Sequence, residues 1–328
     1  MRIKFDKTFE EIVSPENLLE AWREFVRGKR GRIDVQEFSL RLIDNILELH
    51  RDLIQRTYKH GPYQVFKICD PKPRQIHKAA VRDRLVHHAL YRKLYPFFDQ
   101  TFVSDSYSCR KNRGTHKALN RFREFSYIVS KNNTHTCWVL KCDVKKFFAS
   151  IDHKVLLAIL RKRIADEDVL WLLGEIVGSF HSGNTGVGLP LGNLTSQLLV
   201  NVYMNEFDRF VKHKLRTKYY IRYADDFVLL SNEKQQLEET IKPIRTFLAD
   251  TLKLTAHKVH IKTMASGVDF LGWVHFPDHR VLRTTTKNRM IKRIKEYPMT
   301  ETLNSYLGLL GHGNTRKLRQ KLLTSFYV

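Results

Sequence analysis

The stretch YYIRYADDFVLL, Tyr219–Leu230, sets two adjacent acids, Asp225 and Asp226, between two runs rich in β-branched and aromatic residues. Tyr219–Tyr223 and Phe227–Leu230 each read as a strand, and Ala224-Asp225-Asp226 as the tight turn of a hairpin. Acids are ordinary at turns, because Asp bonds its own backbone there. Taken alone, the pair is a turn more often than a site, but its context changes the reading. A third acid, Asp143, ends the apolar run of TCWVLKCDVKKFF (136–148). An acid at the end of one strand and two at a hairpin tip can converge at the edge of one sheet. Three carboxylates that close repel one another and raise each other's pKa.

A divalent cation removes that penalty. Oxygen ligands suit Mg²⁺, which keeps waters and shares substrate phosphates. The rest of the chain supplies the opposite charge. Its 328 residues carry 57 Lys+Arg against 34 Asp+Glu, a formal net charge of +23. Such a balance points to a polyanionic partner, since Lys and Arg that neutralise phosphates release counterions. An anionic membrane surface is the competing reading. The charge is spread along the chain without a lipidation signal, which disfavours it. Apolar residues make up 42 %, enough for a sizeable core and too many for a disordered tail. The length suits two or three packed subdomains.

Cys69, Cys109, Cys137 and Cys142 form no CxxC pair and fit neither a zinc site nor a disulfide framework. They read as reduced, mostly buried small hydrophobes of a cytoplasmic protein. The N-terminus lacks a signal-peptide core and no apolar run is long enough to span a bilayer, so no membrane role is expected.

Local signals alternate between helix and strand. Ser14-Pro15 reads as an N-cap with Pro at the first helical position. A helix carrying Leu18, Leu19, Trp22 and Phe25 follows, then the basic loop RGKRGR (27–32) and a second amphipathic helix over about 36–57. YQVFKI (63–68) alternates as a strand, and 82–95 is a basic helix. Ser150 or Asp152 caps the helix HKVLLAILRKRI. SGNTGVGLPLGN (182–193) is a Gly-rich loop without the Lys-Ser/Thr of a Walker loop. A long helix with Leu198, Leu199, Val202 and Phe207 on one stripe follows it. His87-His88 and His257/His260 have no acid or Cys at ligand spacing and read as polar surface or nucleic-acid contacts. Helices mixed with hairpins give an α+β class.

Four segments in order resemble the palm motifs of reverse transcriptases: DVKKFF, GLPLGNLTSQ, YADD between apolar strands, and FLGW. The resemblance runs from about Pro71 to Trp273. It implies a right-hand polymerase with helical fingers (1–95), an antiparallel-sheet palm (96–275, part of 155–185 packing on the fingers) and a small helical thumb (276–328). It implies RNA-directed DNA synthesis with two Mg²⁺ ions, for which Mn²⁺ can substitute. Asp143, Asp225 and Asp226 would hold the metals, with the Val144 carbonyl as a further ligand. Phe148 matches the aromatic gate whose ring leaves no room for a ribose 2′-hydroxyl; a core Phe is the plain alternative. Lys72 and Arg74 match fingers residues that hold the incoming triphosphate, and Arg suits bidentate phosphate binding; without the resemblance they read as a solvated basic turn. Leu191 and Gly192 fall in the nucleotide-selecting loop. Lys258 resembles the lysine that protonates pyrophosphate, with Lys262 of HKVHIK the other candidate, and FLGW resembles the primer-grip hairpin, its apolar residues suiting sheet core equally. Arg110, Lys111 and Arg113 suit either template phosphate or a solvated basic loop.

Leu191 is the informative departure. Most retroviral and intron-type enzymes resemble LPQG here, whereas LPLGNLTSQ resembles reverse transcriptases of diversity-generating retroelements, which misincorporate opposite adenine. A Gln can orient the incoming nucleotide through hydrogen bonds and a Leu cannot. The resemblance implies a template RNA, a DNA or RNA primer, dNTPs and a small basic accessory protein as partners. A defence-associated or intron-type enzyme is the near rival. A non-catalytic RNA-binding scaffold is the distant one, disfavoured by the intact acids.

Overall fold

The computed structural model describes residues 4–69 and 73–327, with side chains described up to Thr324. The chain divides into two compact units, each assembled from separate segments. The first comprises Met1–Val103, Val144–Phe210 and Arg245–Ala256; the second comprises Ser104–Asp143, Val211–Ile244 and His257–Val328.

The first unit is mostly helical. Its central helix, Val81–Thr101, packs on the helices Pro15–Phe25 and Leu194–Arg209. It buries Leu85, Val86, Ala89, Leu90, Leu94 and Phe98 almost completely, and each of these side chains other than Ala89 stabilises the fold by about 1.5–3 kcal/mol. The expected cap is present: Ser14 accepts from the Asn17 amide and Pro15 opens the helix. Asp152, rather than Ser150, caps the helix His153–Arg161 by accepting from the Val155 amide. The single helix expected over 36–57 is two helices, Ile33–Leu40 and Leu42–Ile54, broken at Arg41 with ψ 43°. Strands β1 (Gln64–Ile68) and β2 (Arg74–Lys78) form an antiparallel hairpin. His87 departs from the surface reading. It is 2 % exposed, and burial, reinforced by neighbouring histidines, pushes its pKa down to about 3.

The second unit holds two sheets. One contains β3 (Trp138–Val144, all but its last residue), β4 (Tyr220–Tyr223), β5 (Asp226–Ser231) and β6 (Ala256–Thr263, all but its first) in the order β4-β5-β3-β6. The other is the antiparallel meander β7 (Val268–Phe270), β8 (Trp273–His275) and β9 (Arg280–Leu282). VDFLGWVHF (268–276) thus folds back on itself, the hairpin that the resemblance of FLGW implies. Leu271 (φ 49°) and Gly272 (φ 87°) turn it in the left-handed region, where a residue with a β-carbon is uncommon. One apolar core joins Phe122 and Phe125 of the helix Thr115–Val129, Ile221 and Val228 of the first sheet, and Phe270 and Trp273 of the second. The C-terminal helices Thr284–Glu296, Thr300–Leu310 and Arg316–Tyr327 add Met290, Ile294, Leu303, Leu310 and Leu322 to it. Of the four cysteines, Cys137 and Cys142 are buried as expected, whereas Cys69 and Cys109 are exposed; all four are free thiols.

Candidate active site

Three acids meet at one end of the first sheet. β3 runs antiparallel to β5, with Trp138 opposite Ser231 and Cys142 opposite Phe227. One more step of that register sets Asp143 beside Asp226. On the other side of β5, Tyr223 pairs with Asp226. Only Ala224 and Asp225 lie between these partners, so the turn is two residues long. Ala224 has φ 55°, a conformation that costs a β-carbon residue about 1 kcal/mol.

Arg222 braces this turn from below. Its side chain is fully buried. Nη1 donates to the Ala224 carbonyl at 3.1 Å and Nη2 to Ser106 Oγ at 3.0 Å. The same residue is tied by its backbone: its amide donates to the Asp105 carbonyl and its carbonyl accepts from the Tyr107 amide. Arg222 is not legible as a functional residue from sequence. A cation inside a strand run gives a local signal, but Ser106 lies 116 positions away.

All three acids are half-buried. Burial, helped by the negative charges of Asp143 and Asp225, pushes the Asp226 carboxyl up to about 6, against the opposing pull of Lys141. Lys141 Nζ stands 3.4 Å from Asp226 Oδ2 and donates to the Asp269 carbonyl at 2.6 Å. Asp226 Oδ1 is buried without a hydrogen-bond partner. A buried acceptor with none is costly, and a hard cation is a partner that carboxylate oxygens suit. Among the described residues, no group of three or more His, Cys, Asp or Glu side chains is placed to hold a metal ion by itself. Mg²⁺ is the ion that carboxylate oxygens would suit, with its remaining ligands from water and substrate phosphates. Val144, 2 % exposed, ends β3 directly after Asp143. Lys258 is exposed on β6, the strand next to β3, in a left-handed conformation with φ 50°.

A second group is assembled within the first unit. Phe147 is buried while Phe148 is half-exposed, which separates a packing ring from an accessible one. The Phe148 carbonyl accepts from the Leu189 amide at 2.8 Å, and the Leu191 carbonyl accepts from the His77 amide on β2 at 2.9 Å. Phe148, Leu191 and the strand bearing the exposed Arg74 are therefore linked through backbone hydrogen bonds. Lys72 lies outside the described residues. Gly192 has φ 114°, and a β-carbon there would stand 2.9 Å from Ile76 Cγ2. Both strain and contact oppose a side chain. Gly192→Ala is expected to cost about 2–3 kcal/mol and to lower the thermal denaturation midpoint; an unchanged midpoint would contradict this packing.

Comparison with known proteins follows the same lines. Residues 65–275 match the family described as reverse transcriptase (RNA-dependent DNA polymerase). The chain is 26 % identical to protein YkfC of Escherichia coli, covering 92 % of this chain and 90 % of that one. It is 24 % identical to the group II intron-encoded protein LtrA of Lactococcus lactis subsp. cremoris over 73 % of its length, and spans 41 % of that protein. It is 21 % identical to a putative COX1/OXI3 intron 2 protein of Saccharomyces cerevisiae, of which it spans 36 %. Among solved structures, apo telomerase from Candida tropicalis shares the fold with a TM-score of 0.51 at 12 % identity, over 74 % of this chain and 60 % of that one.

Proposed function

The chain belongs to the reverse transcriptase (RNA-dependent DNA polymerase) family, and from that premise we propose that it copies a template RNA into DNA from a DNA or RNA primer, with relaxed selection opposite adenine. The observation that carries the polymerase reading is the β3–β5 register, whose last pair, Cys142 and Phe227, leaves Asp143 and Asp226 next in line at one end of one sheet, with Asp225 adjoining. Two Mg²⁺ ions, or Mn²⁺ in their place, would be held by Asp143, Asp225, Asp226 and the Val144 carbonyl; they would supply the charge that activates a 3′-hydroxyl and neutralises departing pyrophosphate. The protein's own groups do the rest. Lys72 and Arg74 hold the triphosphate by charge-assisted hydrogen bonds. The half-exposed Phe148 ring excludes a 2′-hydroxyl by bulk, and Lys258 delivers a proton to pyrophosphate. The fingers, palm and thumb division is retained as part of this reading.

Leu191 supports the error-prone subgroup. A side chain without donor or acceptor cannot align the incoming nucleotide by hydrogen bonding, so selection there rests on shape alone. Mutagenic copying for a diversity-generating retroelement, with a small basic accessory protein, is the biology we favour. The similarity to group II intron-encoded LtrA favours the second reading, a faithful intron-type enzyme. Among the described residues no helix is long and apolar enough to cross a membrane.

Primer extension on a defined RNA template, with Mg²⁺ and four dNTPs and sequenced products, tests both readings. DNA with errors concentrated opposite template adenines supports the first. Faithful DNA supports the second. No product, even with cognate RNA and a partner protein supplied, overturns the polymerase reading. Leu191→Gln is expected to lower the error frequency about ten-fold; an unchanged error spectrum would sink the account of Leu191.

A further inference from the structure

The helix Leu194–Arg209, which follows Leu191-Gly192, begins unusually. Its N-cap residue, Asn193, belongs to the best capping types, yet it makes no side-chain cap hydrogen bond. Asn193 is 4 % exposed and Nδ2 donates instead to Tyr63 Oη at 3.4 Å. Thr195, 2 % exposed, also turns its hydroxyl away from its own helix. Its Oγ1 lies 2.8 Å from His87 Nδ1 on the central helix.

The ends of these chains fix their direction. Ser179 Oγ donates to the Ile176 carbonyl at 2.7 Å, so the 2.8 Å bond between Tyr63 and Ser179 has Tyr63 donating. The Tyr63 oxygen is then left to accept from Asn193. On the other branch, His60 Nδ1 donates to the Gly61 carbonyl at 2.7 Å. In the neutral ring, His60 Nε2 accepts, and His87 Nε2 donates to it at 3.2 Å; Tyr63 Oη also lies 3.2 Å from that nitrogen, so the two branches join at His60. That leaves His87 Nδ1 as the acceptor of the Thr195 proton. Asp83, itself 2 % exposed, anchors the segment that carries His60: Oδ1 accepts from Tyr58 Oη at 2.8 Å and Oδ2 from the Gly61 amide at 3.1 Å. Every bond lies within the first unit.

We infer that this buried network, from Asn193 through Tyr63 and from Thr195 through His87 and His60, is a positioning device that holds the Leu191–Gly192 loop against β2 and so sets nucleotide selection. The inference rests on the polymerase reading and deepens it. The loop is tied on one side by the His77–Leu191 backbone bond and on the other by the uncapping Asn193 and by Thr195, both bonded away from their own helix. A helix needs none of these long-range bonds in order to form, whereas a loop held to a fixed place needs both sides. With no hydrogen-bonding side chain at position 191, the loop's backbone position is what remains to shape the nucleotide site. Tyr63, His60, His87, Asn193 and Thr195 are positioning residues on this account.

The test uses the full chain and compares Thr195→Val, which removes the hydroxyl at nearly constant shape, with Thr195→Ser, which keeps it. In steady-state primer extension Thr195→Val is expected to raise the dNTP KM about ten-fold, with kcat changed by less than about two-fold, and to shift the misinsertion spectrum. Thr195→Ser is expected to restore both. Tyr63→Phe is expected to move KM and spectrum in the same direction as Thr195→Val. Thr195→Val and Tyr63→Phe with wild-type KM and spectrum would overturn the inference, whatever happens to their thermal midpoints. Should Thr195→Val fail to fold, Tyr63→Phe decides alone by the same readout. A wild type that extends no primer would overturn the polymerase reading and this inference with it, whereas an active wild type with insensitive variants overturns only the inference.

Discussion

Asp225→Asn is expected to lower primer extension by about 10³-fold or more while leaving the fold intact, and Asp143→Asn to do the same. Charge stabilisation at a reacting phosphate depends on full carboxylates, and a single lost electrostatic contact of this kind costs 10²–10³ in rate. The fold is insulated for a local reason. Asp225 occupies one of two positions in the turn between Tyr223 and Asp226, and its half-buried side chain adds no apolar surface to the core. The turn is held by Arg222 on the Ala224 carbonyl, a bond that Asn at position 225 leaves in place. Far-UV circular dichroism and the melting midpoint of the variant should match wild type within about 2 °C. Substantial extension by a well-folded Asp225→Asn would remove Asp225 from the reaction. Loss of activity together with loss of fold would instead assign it a role in the turn.

The sequence displayed the acids because their signals are local. Strand alternation, an Asp at the end of WVLKCD and two at a hairpin tip are all readable within a dozen residues, and antiparallel pairing then sets Asp143 beside Asp226. The hidden features depend on distant partners. Arg222 is explained by Ser106, and His87 by Thr195, 108 positions away. In the basic helix a His-His pair reads as surface until the partner that buries it is known. The helix break at Arg41 is hidden for another reason. Arg is not a residue type that announces a turn, and tertiary packing overrides the propensity there. The interleaving of the two units was equally unreadable, because local patterns do not say which segments return to which core.

Asp226→Asn should also abolish synthesis, but with an opposite effect on stability that Asp225→Asn does not share. Asp226 has its pKa raised from 3.8 to about 6, first by burial and then by Asp143 and Asp225. The folded protein therefore keeps a proton that the unfolded chain releases. Stability from the neutral carboxyl is fully present below about pH 4 and is lost as pH rises through about 6. An amide is permanently neutral and nearly the same shape. In a chelator, the variant should melt at the same temperature as wild type near pH 4 and about 3 °C higher at pH 8, an increment discounted for the side chain's partial exposure. The Lys141 ammonium limits the gain, since it loses a carboxylate partner at 3.4 Å. Added Mg²⁺ should close the gap at pH 8 by stabilising wild type alone, through binding to the folded state. That response separates a metal-binding carboxylate from a structural one. If the variant is less stable than wild type at pH 8 in chelator, Lys141 is the partner Asp226 exists to hold, and the acids form an ion-pair cluster. If it is more stable and insensitive to Mg²⁺, the three carboxylates tolerate their own repulsion for the sake of a divalent cation, as the turn in YADD first suggested.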